Sequence, residues 1–475
     1  MRKTRLISLL AASAFAASGL GIARADTAYT ASFTTSITYQ NIGSGTANIV
    51  VTFYAENSGT AINGGSFTLA PNASSSLFAG NVASLPAGFR GSAVLSSDQP
   101  IAATMVQVST GADTLVRNRP LSNGLAEGSN NVLLATVLRN RFDTTSRFAI
   151  QNTESTPINF TLKIFNADAG GALVTTDTKN NVPANSAVYY DMGTISGVPD
   201  NFNGSATIEA TGRVVASVME LSVSGVAASA FEGVTGGANT VYMPSALCNA
   251  FGGYNSFYAV QNTSNSQVAN VTVTYKDLNN NTVGTQTGTI NPGAKQSFAT
   301  CGGGMGNNFS GSAIITSSGA PIVAIGKVGG LGVSSAFVGA TTGAAKLALP
   351  YVRWTPTSVY NSGQRQRAFI AIQNIGSPLS AGQVTVKYVD KNGTTLQTQN
   401  LGALGTGAKQ SVNWSQVGGD TDFGFYPSDG SFGGGAIVEG PPGSQLVAVV
   451  RIQSSDPGGS SGVGEDYTGI PIPIP

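Results

Sequence analysis

A short strand ending in Gln-Asn occurs four times at an almost constant interval, and this period constrains the chain more than any other feature. It reads Ile37-Thr38-Tyr39-Gln40-Asn41, Phe148-Ala149-Ile150-Gln151-Asn152, Tyr258-Ala259-Val260-Gln261-Asn262 and Ile370-Ala371-Ile372-Gln373-Asn374. The glutamines are separated by 151−40 = 111, 261−151 = 110 and 373−261 = 112 residues. A period of that size means tandem copies of a whole domain rather than a solenoid of short repeats. After each Gln-Asn come a second β-branched strand, a turn rich in Pro, Gly, Asn and Ala, and a Phe-x-Gly signature (Phe89/Gly91, Phe202/Gly204, Phe309/Gly311, Phe432/Gly434). The third copy divides into seven strands, A to G: Val241–Pro244, Ser256–Asn262, Ala269–Tyr275, Thr282–Thr289, Lys295–Thr300, Ser312–Ser317 and Pro321–Lys327. Period-2 alternation and Gly/Pro/Asn punctuation make the chain all-β.

Seven short strands in about a hundred residues predict an immunoglobulin-like sandwich. The expected architecture is four such domains in a rod, at 26–128, 129–236, 237–343 and 344–463, with a strand-like tail at 464–475. The repeated segments Ala230-Phe231-Glu232-Gly233, Ala336-Phe337-Val338-Gly339 and Tyr467-Thr468-Gly469 are expected to be linkers.

Residues 1–25 have the form of a secretory signal peptide: Arg2, Lys3 and Arg5, an apolar stretch from Leu6 to Ala17, and Ala23-Arg24-Ala25 as the cleavage site. That stretch is too short for a membrane span, so the mature protein is expected to be secreted, extracellular or at the cell surface. Its 24 basic and 23 acidic residues are near balance, and charged residues are 10% of the chain against about 25% in ordinary soluble proteins. That argues against nucleic acid as a partner, which needs clustered cations.

The chain has no histidine, which excludes Ser-His-Asp and Cys-His nucleophilic systems and the commonest zinc ligand. The scattered acids form no repeated pair, and Asp420/Asp422 lie in a Gly-rich loop, so no glycosidase arrangement is visible. A non-enzymatic protein without cofactor or metal is expected. Asp277–Asn281 and Asp390–Gly393 lack the ligand order of a calcium loop and are expected to be hairpin turns. The two cysteines, Cys248 after strand A and Cys301 after strand E, fall at the same end of the third sandwich and are expected to be bonded. The bond closes a loop of 301−248 = 53 residues, roughly 4 kcal/mol in the chain-entropy model.

Two regions depart from the period. The fourth repeat carries insertions in its A–B and E–F loops, bringing Trp354, Tyr360, Phe423, Phe425 and Tyr426 to one end. These aromatics are candidate contacts for a glycan or protein, or else they pack on one another to close a longer domain end. The first repeat would need its strand A near residue 23, inside the signal peptide, whereas Ile470-Pro471-Ile472-Pro473-Ile474-Pro475 reads as a strand A with no domain behind it. Ile470, Ile472 and Ile474 share one face, so this tail is the candidate donor strand for the first repeat of another copy.

The signal peptide, the Gln-Asn strand, the Pro-Gly-Ala turn and the Phe-x-Gly-Ser-Ala strand resemble those of secreted bacterial proteins built from tandem immunoglobulin-like repeats, found in surface adhesins, appendages and sheath or surface-layer components. The resemblance implies an extracellular structural protein forming a filament or surface layer, its partner being itself in a head-to-tail polymer. The alternative is a monomeric rod-like adhesin that holds surface glycans or other surface proteins.

Overall fold

The computed structural model describes residues 4–10, 32–110, 119–222, 227–356, 365–455 and 462–473. It is all-β, built from repeated pairs of packed sheets. In the third repeat one sheet has the order A–F–C–D, from Thr240–Cys248, Phe309–Ser318, Ala269–Lys276 and Thr282–Ile290. The facing sheet has the order E–B–G–H, from Lys295–Ala299, Asn255–Asn262, Ile322–Gly330 and an eighth strand, Val333–Val338. Alternate residues of both sheets (Val241, Met243, Tyr258, Val260, Val271, Val273, Ile315, Phe337) form the core between them.

This pairing differs from the expected immunoglobulin topology. B still pairs with E and C with F, but A lies beside F rather than B, and G lies beside B rather than F. The second repeat displays the cause: F and G are one continuous strand, Phe202–Ser222, that passes from one sheet into the other. Strand F therefore keeps a free edge for A.

The expected rod is also not what forms. The segments read as linkers are the H strands: Leu121–Asn123, Ala228–Glu232, Val333–Val338 and Gly462–Thr468. Each pairs with its own G strand and packs on the H strands of two other repeats, so the four surround a common axis and the fourth repeat closes onto the first. Asn123 N donates to Glu232 Oε1, Asn123 Nδ2 donates to Thr468 O at 2.8 Å, and Thr468 Oγ1 donates to Val338 O at 2.7 Å. Arg119 and Glu465 form a buried ion pair across the closing junction. A short segment buried on one face in its own sandwich and on the other against its neighbours has nothing left to act as a hinge.

The repeated motifs are the joints of this ring. Asn41, Asn152, Asn262 and Asn374 each donate from Nδ2 to the carbonyl at or near the end of strand D (Leu69, Val182, Ile290, Leu404) at 2.9–3.1 Å. The glutamine beside each asparagine points to the opposite face, because successive strand residues alternate, and is buried at the boundary with another repeat. Gln40, Gln151 and Gln373 donate to Asn72 O, Asn185 O and Gly407 O in their own turns before strand E, whereas Gln261 donates to Ala206 O of the second repeat. The serine of Phe-x-Gly-Ser reaches the same turn of the following repeat: Ser92 to Asn185 O (2.7 Å), Ser205 to Gly293 O (2.7 Å) and Ser312 to Gly407 O (3.3 Å). At the closing junction the fourth repeat has glycine here, and Gly434 N donates instead to Ser74 Oγ of the first. The glycine before that serine is required by close approach: a Cβ at Gly91 or Gly311 would run into the carbonyl oxygen of Tyr54 or Lys276.

The two ends of the chain are placed unexpectedly. Position A of the first repeat is occupied by Thr4–Leu10, which pairs antiparallel with Gly91–Ser97 over seven residues. The C-terminal tail is not a free strand: Ile470 and Pro471 pair with Ala348 and Leu347 on the fourth repeat's own A strand, Lys346–Leu349, and Ile472 N donates to Lys346 O at 2.9 Å. This matches Val234–Thr235, which pairs with the A strand of the second repeat. The tail is thus the equivalent of a connecting segment rather than of a strand A. Ile472 is buried among Ala102, Ala348, Val389 and Ile437. Ile474 lies outside the described residues.

Candidate functional site: the cleft between the fourth and first repeats

Ring closure places the insertions of the fourth repeat against strands B and E of the first. The insertion aromatics then divide into two groups. Trp354 and Phe423 are in the core: their backbones pair, with Trp354 N donating to Phe423 O at 2.9 Å and Phe423 N returning to Trp354 O at 2.6 Å. Phe423 stacks on Trp414 with ring centres 4.6 Å apart, and Tyr388 meets both rings edge-on. Trp414 Nε1 is satisfied by Thr421 O at 2.9 Å. Apolar area and edge-to-face geometry both favour this closed cluster over exposure, so these two rings are packing residues. Tyr360 lies outside the described residues.

Phe425 and Tyr426 behave differently. They form one arm of a small hairpin whose other arm is Ser431–Phe432, and Phe425 lies 5.0 Å from Phe432, ring centre to ring centre. Tyr426 OH accepts from Lys391 N at 2.8 Å, and Lys391 Nζ sits 4.5 Å over the tyrosine ring. Lys391 Nζ also reaches Asp429 (2.6 Å) and Ser431 Oγ (2.7 Å). The lysine, aided by the Ser431 hydroxyl, holds the Asp429 carboxyl well below the usual range. The hairpin is therefore fixed at its base, with its phenylalanines only half-buried.

Between this hairpin and the first repeat runs a cleft of about 730 Å³. One wall carries Thr38, Ser76, Phe78 and Asn81, the other Phe425, Ser431 and Phe432, with Arg119 and Arg353 deeper in. Arg353 is the largest fully buried side chain among the described residues. Its Nη1 donates to Val352 O (3.0 Å) and Gly434 O (3.1 Å), and its guanidinium stacks 4.7 Å over Tyr351. Burial pushes the Glu465 carboxyl upward, opposed by Arg119. Half-buried aromatic rings beside hydroxyls and an amide are suited to holding a polyhydroxylated ligand by apolar contact and hydrogen bonding. Insertion length signalled this region, but the contributions of Phe78, Asn81 and Arg119 became visible only when the ring closed.

The disulfide is present: Cys248 ends strand A and Cys301 sits in the turn after strand E, with Cα atoms 4.9 Å apart. It joins the two sheets of the third sandwich. Asp277 Oδ1 accepts from Asn279 N and Asn281 N, and Asp390 Oδ1 from Asn392 N and Thr394 N, so both acidic segments are hairpin turns. Among the described residues no group of three or more Cys, Asp and Glu side chains is placed to hold a metal ion, and no helix is long and apolar enough to cross a membrane.

No protein-family model matches the chain, and the search of curated proteins found no match. Among solved structures, the serine-rich repeat protein Srr2 from Streptococcus agalactiae is 9% identical, with 58% of this chain and 88% of that one aligned at a TM-score of 0.10. A Salmonella alpha-2-macroglobulin mutant is also 9% identical, over 91% of this chain and 29% of its own, at a TM-score of 0.11. Likenesses at these scores carry no argument about fold or function.

Proposed function

We propose that this chain is an exported, non-enzymatic surface protein that self-assembles, a neighbouring copy completing its first repeat by β-strand addition. One observation carries the reading: position A of the first repeat is filled by Thr4–Leu10, inside the predicted leader. Cleavage after Ala25 removes that strand and leaves the backbone of Gly91–Ser97 unpaired along one edge. Residues 26–31, six in number, precede strand B at Ser32. In the second repeat strand A takes 11 residues, Ser129–Arg139, and four more lead to strand B at Thr144. Six residues are too few for both.

The C-terminal Ile470–Pro475 is the candidate donor. Among the described residues it is held to its own strand A by two residue pairs and the hydrogen bond from Ile472 N to Lys346 O, with Ile472 buried, so donation requires this short strand to be released; its alternating prolines leave N–H groups on one edge only, which suits an edge strand. A head-to-tail contact of this kind does not close on itself and propagates a filament. The test is light scattering and negative-stain microscopy of residues 26–475, over a range of concentrations, with and without Gly469–Pro475. A mature chain that stays monomeric throughout removes the assembly reading. Equal assemblies with and without the tail remove the tail as donor.

A second reading, a glycan-binding surface protein, is favoured by the half-buried phenylalanines and the hydroxyls that line the cleft between the fourth and first repeats. Screening the protein and its Phe425→Ala variant on a panel of surface polysaccharides tests it. Binding that is absent, or that the variant leaves unchanged, removes this reading.

A further inference from the structure

Two bulky residues of the third repeat stand in a backbone conformation that disfavours them. Phe251, at the tip of the A–B loop, has φ 51°, and Leu331, in the G–H turn, has φ 52°. The left-handed region costs a non-glycine residue on the order of 1 kcal/mol or more, and neither side chain recovers it by burial, being 68% and 57% exposed. The two loops abut, since a Cβ on Gly330 would strike Gly253 O. The Cys248–Cys301 bond anchors the foot of the A–B loop.

Both side chains stand at the mouth of a cleft of about 530 Å³ between the third repeat and the outer face of the fourth repeat's E–B–G–H sheet. Leu247, Tyr254, Phe369 and Val449 contribute apolar wall, and no acidic residue lines it. Its floor holds two cations of different standing. Arg451 is paired through Nε and Nη2 with Asp466 at 2.7–3.2 Å. Lys409 is buried, donates to Gly311 O at 2.9 Å, and has no carboxylate within ion-pair distance among the described residues. A buried ammonium without a counter-charge is costly, and burial pulls the Lys409 pKa down to about 7. The cleft thus offers apolar surface at its mouth and an uncompensated amine at its base.

We propose that this cleft is a binding site for a small amphiphile carrying one carboxylate, its apolar chain between Phe251, Leu331 and Phe369 and its head group on Lys409. The proposal stands apart from the assembly reading, which concerns the first repeat. The probe is dodecanoate, titrated calorimetrically into the full chain, with dodecanol as the uncharged control. One saturable site is expected, preferring dodecanoate at least tenfold. Lys409→Met should remove that preference, and Ala371→Trp, which fills the cleft, should abolish binding of both. The exposed double variant Phe251→Asp/Leu331→Asp leaves the core untouched, so it keeps the test decisive should Ala371→Trp fail to fold; it should weaken dodecanoate at least tenfold with an unchanged melting temperature. No saturable site in the native chain, or affinity unmoved by both Lys409→Met and the double variant, overturns the proposal.

Discussion

The first and third repeats share one strand order and are held by opposite means. The third has its own A strand, running directly from the preceding repeat, and a disulfide joins that strand's end to the opposite sheet. The first has neither: its position A is filled from Thr4–Leu10, and its H strand is three residues long. The contrast extends to the core. Phe231, Phe337 and Tyr467 occupy equivalent H-strand positions, each facing its own G strand and fully buried, where the first repeat has Ser122. One pattern of strands therefore tolerates a large difference in how its edge is closed, and the first repeat is the copy to which the proposed strand addition applies.

The sharpest way to break this comparison is to remove residues 1–25. In the chain that also lacks Gly469–Pro475, kept monomeric, hydrogen exchange at the Gly91–Ser97 amides facing position A should then approach that of an unprotected edge, while Phe309–Ser318 of the third repeat stays protected; equal protection in both would show that the first repeat needs no added strand. Next in size is Phe337→Ala, which empties a fully buried aromatic site and should cost about 3–5 kcal/mol of third-repeat stability in denaturant titration. Cutting the disulfide with Cys248→Ser/Cys301→Ser should cost roughly 4 kcal/mol by the chain-entropy model, read as a lowered denaturation midpoint that reductant no longer shifts.

A smaller effect concerns the axis, where Asn123 of the first repeat stands opposite Glu232 of the second. Burial pushes the Glu232 carboxyl up to about 7, from an ordinary 4.5. A carboxyl with a raised folded pKa keeps its proton in the native state while the unfolded state loses it. Its contribution is therefore most favourable below pH 4.5 and is lost as pH rises to about 7. Relative to the native chain, Glu232→Gln should gain stability over that window, on the order of 2 kcal/mol. Thermal melts of the two proteins from pH 4.5 to 7.5 measure the divergence. The smallest effect expected is that of Ser122→Ala, under about 1 kcal/mol. A large loss there would mean that the first repeat depends on its H strand as much as the third does.

Strand positions were largely legible, because period-2 alternation of Val, Ile, Thr and Tyr is a local property. In the third repeat the expected A to G segments all fall within or beside observed strands, and the two cysteines could be paired from their places in the strand order. The edges were not legible. Whether strand A lies beside B or beside F depends on where the chain crosses between sheets, and Phe202–Ser222 crosses with no turn signal strong enough to announce it. For the candidate site, insertion length pointed to the right end of the fourth repeat. It did not separate Trp354 and Phe423, which pack inside, from Phe425, which lines the cleft, since all are equally apolar.

What the sequence determined by itself is the tandem period, the all-β class, the turn chemistry of the asparagines and the single disulfide, each resting on residues close in the chain or on a short list of partners. Only the tertiary structure decided that the repeats form a ring, that the apparent linkers are its axis, and that the tail folds back on its own repeat. The reason is that one residue type serves both surfaces. Gln40 in strand B looks like a solvent-facing polar residue, and Ala336 in strand H like part of a short linker. Both are buried because another repeat, over a hundred residues away, covers them.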